Sequence, residues 1–367
     1  MPALPSTSPS KSALAKICNI ILDENSSRQS LHHALDDYAQ LCSQVTNIAP
    51  NPTFDAWAED TFLEQGVAIN PQAAAYCIKD YQRSITFIRG VHAAMTATLK
   101  STNIPINVLY AGCGPFATLL MPLLGKYQND NFDLSQINIF LLDIHQTSLN
   151  SVTLLLNFFN LCTNDITLIQ ANACTYQHPT PLNLIIAETM QKSLEQEPQF
   201  TVTANLAPQL RNDGIFIPEK IVVSLCLAQW QIERNLVEQN VKINHESLVK
   251  LEKRFPLGII LSLQPQLAAT QLKNAQYHTA TKKLALKSVQ VQIPEIPQLN
   301  NFDALFLTYI QVFKDYRLND YESEITLPLK CQALSTLQPG ARYNINYQLG
   351  SYPEFYVWKA DNEGTKH

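Results

Sequence analysis

The stretch VLYAGCGPFATLLMPLL, from Val108 to Leu124, decides how the chain is read. It opens with an apolar run that stops at Gly112, as a buried strand does when it ends in a turn. Gly112 and Gly114 then place two residues without side chains where the backbone can turn sharply and approach a ligand closely. Nucleotide-binding loops usually carry an acidic residue where Tyr110 stands and a third glycine where Phe116 stands. The position three after Gly114 is Ala117, small enough to replace the last glycine of a dinucleotide fingerprint. Two glycines alone suit a core strand with an ordinary turn equally well.

The residues that follow keep one rhythm. INIFLLDI is a second buried strand that ends in acid at Asp143, and a helix runs from about Gln146 to Leu161. ITLIQANA and LNLIIAE read as third and fourth strands. Strands and helices alternating at short intervals predict a parallel sheet with crossover helices. In such a sheet ligands collect at the carboxyl ends of the strands. Four successive ends carry Gly112 and Gly114, then Asp143, then Asn172 and Ala173, then Glu188. Asp143 follows the glycines by about 30 residues, where a carboxylate can accept both ribose hydroxyls, although alone it could equally be a helix-start carboxylate. A small side chain beside an amide, Ala173 beside Asn172, suits an adenine edge. Together the four ends predict a nucleoside site, and the continuation to Asn172 and Glu188 suits S-adenosylmethionine.

The flanking sequence sets the frame. At 367 residues the chain can bury one large core or two ordinary ones, and 46% apolar with 16% charged residues is the composition of a soluble globular protein. A net charge of −5 and a pI near 5.9 argue against nucleic acid as a partner. No apolar run is long enough to span a membrane, and MPALPSTSPSKSALAK lacks a signal-peptide core, so the expected location is the cytoplasm. The eight cysteines are scattered without CxxC pairs, and the eight histidines do not cluster, so no metal site is expected. Residues 1–104 read as an N-terminal helical region with a flexible tail over 1–12, residues 105–220 as the ligand-binding core, and residues 221–367 as an antiparallel β-rich domain.

VLYAGCGPFATLL resembles the first motif of class I methyltransferases, and LLDIHQTSL resembles their ribose-binding acidic loop. LNLIIAETM resembles the strand that ends at their reacting centre. More narrowly, the chain is similar to the protein arginine methyltransferase family. Asp80 and Arg83 in CIKDYQRSITF fit its Asp-x-x-Arg helix, and Glu188 and Glu197 in ETMQKSLEQEP stand at the separation of its two glutamates. Leu210, Gly214 and Pro218 match the stretch that leads into its C-terminal barrel. The resemblance covers about Ala73 to Val223 well and the remainder in outline. It implies a Rossmann-like α/β core with an N-terminal helical cap and a C-terminal antiparallel, barrel-like β domain. It also implies S-adenosylmethionine as cofactor, with Arg83 holding the cofactor carboxylate and Glu188 and Glu197 gripping a cationic acceptor. Dimers are common in that family, so a homodimer is admitted.

The chain also departs from the pattern. Asn183 replaces a frequent Asp, the cap helix lacks the family's aromatic pairs, and SEITLPLKCQAL has neither His nor Trp where a Thr-His-Trp loop belongs. Cofactor binding follows from the resemblance, whereas arginine as acceptor does not. The expected activity is methyl transfer to a nitrogen of a small-molecule or peptide amine or guanidine. Chemistry on the cofactor's own aminobutyrate chain, or a binding protein that has kept only the fold, stay open as alternatives. For the residues themselves, Arg83 could instead pair with Asp80 on a helix surface, Glu195 and Glu197 could be solvated, and Trp57 and Phe62 favour core packing over a lid role.

Overall fold

The computed structural model of the chain describes residues 11–50, 60–101, 105–161 and 165–360. Most of the tail expected over residues 1–12, and Trp57, lie outside the described residues. Two helices open the fold, α1 (Lys11–Leu22) and α2 (Arg28–Thr46). The Ser27 hydroxyl accepts from the Ser30 N–H at 3.1 Å to start α2, and Asn47 ends it in the left-handed region at φ 58°. A short antiparallel hairpin, β1 (Thr61–Leu63) and β2 (Gly66–Ala68), comes next. Asn70 caps α3 (Pro71–Tyr76) from its side chain, with Pro71 in the first turn. The helical run expected from Gln72 to Leu99 breaks at Asp80, whose ψ of 80° is not helical, and restarts as α4 (Tyr81–Ser101).

The central sheet contains β3 (Ile106–Ala111), β4 (Ile137–Asp143), β5 (Ile166–Gln170), β6 (Leu182–Ala187) and β7 (Leu210–Ile217). Its order is β5-β4-β3-β6-β7, and every neighbouring pair is parallel. Val108 stands opposite Ile139 on one side and Leu184 on the other. Alternate residues of β3 enter two different cores, Val108 and Tyr110 one, Leu109 and Ala111 the other. Both faces of the sheet are therefore covered, which is why its strands read as continuous apolar runs. Helices α5 (Met121–Asn129), α6 (Gln146–Phe158) and α7 (Gln199–Leu206) belong to this core. The chain leaves β3 outward through β4 and β5, then returns to its other side as β6. That reversal puts a crevice beside the end of β3.

Antiparallel structure follows β7, as the sequence predicts. One sheet has the order β14-β13-β8-β9, built from β8 (Lys220–Ala228), β9 (Arg254–Leu263), β13 (Asp303–Phe313) and β14 (Tyr316–Leu318), with β15 (Leu329–Lys330) on β13. The other joins β10 (Gln276–His278), β11 (Lys283–Ala285), β16 (Arg342–Leu349) and β12 (Val289–Gln292), with β17 (Glu354–Lys359) on β16. The sheets meet through rings, Phe306 of β13 lying 4.8 Å from Phe355 of β17. Three helices interrupt what reads as mostly strand-like sequence: α8 (Trp230–Glu238), α9 (His245–Lys250) and α10 (Pro265–Lys273). Pro265 occupies the first turn of α10, where its missing N–H costs nothing, so within the strand-like run GIILSLQPQL the strand ends at Leu263, two residues before it.

Helix α4 ties the two halves together. It packs on β6 and β7 of the central sheet and on β13 and β14 of the antiparallel sheet. Gly90 sits at the tightest crossing, where an added Cβ would come 2.5 Å from Val312 Cγ1. Alanine would favour the helix by about 1 kcal/mol, whereas overpacking a core against a stiff β-branched side chain costs about 1–3 kcal/mol. The clash wins. Gly90→Ala is expected to lower stability by about 1–2 kcal/mol in denaturant unfolding, and adding Val312→Ala should cost less than it does in the wild-type background.

Candidate functional site

A cavity of about 430 Å³ opens at the carboxyl ends of the parallel strands. Arg83, Gly112, Gly114, Asp143, Asn172, Ala173, Glu188 and Glu197 all line it, so the strand-end residues predicted from sequence share one space.

The loop after β3 is held by its neighbours. Gly112 and Gly114 adopt φ of 67° and 64°, a backbone region that side chains rarely occupy. The N–H groups of Gly112 and Cys113 donate to the Leu142 carbonyl at 2.9 and 3.1 Å. Phe116, at the position of the missing glycine, is buried in the core, and its carbonyl accepts from the Tyr38 hydroxyl of α2 at 2.6 Å. The Pro115 carbonyl accepts from the Ser151 hydroxyl of α6, also at 2.6 Å. Tyr110, at the position of the missing acid, forms buried wall. Packing from α2 and α6 thus shapes a loop that lacks its usual third glycine.

Asp143 is buried and already engaged. One carboxylate oxygen accepts from the Gly114 N–H at 2.9 Å and the other from the His145 N–H at 2.8 Å. Burial pushes its carboxyl above the ordinary range, and those two N–H groups oppose the shift. Asn172 turns its own loop, its side-chain oxygen accepting from the Cys174 N–H at 2.9 Å.

Arg83 pairs with Glu188, not with Asp80. Both are largely shielded, with 14% and 3% of their side chains exposed. The Glu188 Oε1 atom is buried without a hydrogen-bond partner, as are His145 Nε2 and Ser148 Oγ in the same cavity wall. Burial raises the Glu188 carboxyl above its usual value, with Arg83 opposing. Glu197 is buried rather than solvated, and burial followed by the neighbouring Glu188 charge pushes its carboxyl up to about 8. Glu195 is also raised, to about 7, first by burial and then by Glu354.

The loop from Thr189 to Pro198 carries these glutamates in a strained backbone. Ser193, Leu194 and Gln196 have φ of 56°, 61° and 68°. The fully buried Gln199 amide accepts from the Thr189 N–H at 2.8 Å and donates to the Ala187 carbonyl at 3.1 Å. Tyr347 donates to the Leu194 carbonyl at 2.5 Å, the Gln196 N–H to the Pro353 carbonyl at 2.8 Å, and the Val67 N–H to the Gln196 carbonyl at 2.8 Å. The hairpin that supplies Val67 turns Leu63 toward the cavity and leaves Phe62 52% exposed, so Phe62 is not the core residue expected.

Three further residues contribute, of which the sequence singles out Asp80 alone, as part of the Asp-x-x-Arg helix. Asp80 accepts from the Arg83 N–H through one oxygen at 3.3 Å, and through the other from the Ser323 hydroxyl at 2.5 Å and the Glu324 N–H at 2.8 Å. It starts α4 while tethering the turn that stands where the Thr-His-Trp loop was expected. Glu324 on that turn lines the cavity, and so does Tyr76. Only Asp80 has a sequence signal, an Asp one residue before a helix. Among the described residues no cluster could hold a metal, and no helix is long and apolar enough to cross a membrane.

The Glu197 shift has a measurable sign. Its value rises from about 4.5 to about 8 on folding, so the stability it contributes is complete below about pH 4.5 and is lost as the pH climbs through 8. Glu197→Gln stays neutral throughout. Its unfolding free energy relative to wild type is expected to grow between pH 5 and 8 toward an upper limit of about 5 kcal/mol, then level off. A pH-independent difference in melting would show that Glu197 ionises normally.

No family model and no curated protein matches the chain. Many solved structures are similar to it, among them two at low identity. The Trypanosoma brucei PRMT1 enzyme–prozyme heterotetrameric complex with AdoHcy is 13% identical, with a TM-score of 0.42 over 77% of this chain and 95% of that one. The PRMT6–SAH crystal structure is 9% identical, with a TM-score of 0.47 over 77% of this chain and 98% of that one. The functional reading therefore rests on the chemistry of the site.

Proposed function

We propose that the chain is an S-adenosylmethionine-dependent methyltransferase that methylates a nitrogen of an amine or guanidine, free or carried by a peptide. One observation carries the reading. The ends of four parallel strands converge on a single cavity, and that cavity also holds two buried glutamates. The residues present fit the cofactor: buried polar atoms at Glu188, His145 and Ser148 lack partners in the wall, and two glycines bring backbone to its edge.

Bound there, S-adenosylmethionine supplies a methyl group already activated by its sulfonium. Arg83 would hold the carboxylate of the cofactor, for which a guanidinium fork is suited. Asp143 would accept from the ribose hydroxyls with the lone pairs that the loop N–H groups leave free. Asn172 and Ala173 would meet the adenine. Glu188 and Glu197 would orient a cationic acceptor, drawing a guanidinium's charge away from the nitrogen that attacks or taking up the proton that an ammonium must lose before it can attack. Glu197, protonated near neutral pH in the free chain, would give up its proton when a cation arrives.

Calorimetric titration with S-adenosylmethionine and S-adenosylhomocysteine tests this directly. Micromolar binding is expected for the wild type. Asp143→Asn should weaken it about 10- to 100-fold, the worth of hydrogen bonds to a charged group. Absence of binding by either ligand to the folded wild-type protein would sink the reading.

A further inference from the structure

We propose that Glu324 is a specificity-determining residue of the acceptor site, and that the acceptor is a small linear molecule with a second cationic nitrogen beyond the one gripped by Glu188 and Glu197. This rests on the cavity being the acceptor site of the function proposed above.

Charge in the cavity wall is unbalanced. Asp60, Asp143, Glu188, Glu197 and Glu324 stand there against Arg83 and Lys192, and Arg83 is already matched with Glu188. Asp60 lies close enough to Glu197 for its charge to raise the Glu197 carboxyl. The unpartnered Oε1 of Glu188, on a side chain only 3% exposed, independently marks a place where a donor from a ligand is missing. A monocation answers the inner pair. It leaves Asp60 and Glu324 with Lys192 as their one counter-charge among the described residues of the wall.

Glu324 is held as a site residue is held. Its N–H donates to Asp80, and Ser323 and Thr326 close a capping box around the turn, with Ile325 and Thr326 buried beneath it. The backbone is fixed while the side chain is exposed at the cavity, and among the described residues its carboxylate has no ion-pair partner. A fixed backbone lowers the entropy lost when the carboxylate engages a cation. Clefts lined by one sign of charge also focus their field on an incoming ligand. The cofactor would share the same cavity of about 430 Å³, so the space remaining for the acceptor is small, which favours a free diamine or amino-guanidine.

Two probes that differ by one charge, 1,4-diaminobutane and 1-aminobutane, test the inference by calorimetry, with and without saturating S-adenosylhomocysteine. The diamine is expected to bind about tenfold more tightly, and Glu324→Gln should cut that ratio at least about threefold. Glu324→Lys, a second exposed-site variant, should invert the preference, and rising salt should erode it in the wild type. Equal affinity for the two probes, or a ratio unchanged in both folded variants, would overturn the inference even if S-adenosylhomocysteine binds. Failure of S-adenosylhomocysteine to bind while the diamine preference persists and follows Glu324 would instead count against the methyltransferase reading alone.

Discussion

A buried ion pair between Arg83 of α4 and Glu188 at the end of β6 is the constraint around which the site is arranged. Removing two charges from water costs several kcal/mol each, and the attraction between them offsets this only when geometry and further hydrogen bonds cooperate. The sequence leaves Glu188 little choice, because all six residues of β6 before it are buried and the strand delivers it inside. Arg83 must therefore be brought to it. That is the physical role of the break at Asp80, which ends one helix, starts α4 with its carboxylate and aims the first turn of α4 at the strand end. The same carboxylate holds the Ser323–Thr326 turn, so the positions of the cation and the outer turn are set by one buried group.

Backbone strain clusters in the loop that carries Glu197. Three non-glycine residues in the left-handed region within four positions would cost of order 1–3 kcal/mol each unless surrounding contacts over-determine them. Those contacts come from three directions: Gln199 at the base, Val67 from the hairpin, and Tyr347 with Pro353 from the antiparallel sheet. The loop that carries Glu197 is thus fixed jointly by the N-terminal region, the core and the C-terminal sheets. This explains why a Rossmann-like core is embedded between two further regions when its own five strands already form a covered sheet.

How far the sequence could be read follows from how each feature is encoded. The parallel strands were legible because strands buried on both faces leave unbroken apolar runs, and the strand-end residues were legible because a parallel sheet delivers every carboxyl end to the same side. Gly112, Asp143, Asn172 and Glu188 needed no knowledge of side-chain packing to be grouped. Helices α8 to α10 were missed because each is short and set among strand-like runs, although Pro265 marked the start of one. Phe62 misled because an alternating hairpin turns every second residue outward whatever its hydrophobicity. Glu324 was out of reach altogether. Its turn meets Asp80 across 244 positions of chain, and no local spacing records a contact made only by tertiary closure.

The departures from the usual loop gain meaning when their charges are followed through the cavity. Tyr110 takes away a carboxylate at the glycine loop and replaces it with buried phenol, and Phe116 adds a ring to the same wall. Both lower the local dielectric, and a carboxylate near such a wall is costly to ionise. At the opposite side Glu324 adds a carboxylate where the resemblance led to imidazole and indole being expected. On the proposed reading, negative charge is absent from Tyr110 on the loop that would face the nucleoside and present at Glu324 on the turn that would face the acceptor. If the proposed function holds, a site built in this way would keep the elements that hold a cofactor and change the selection imposed on the second substrate.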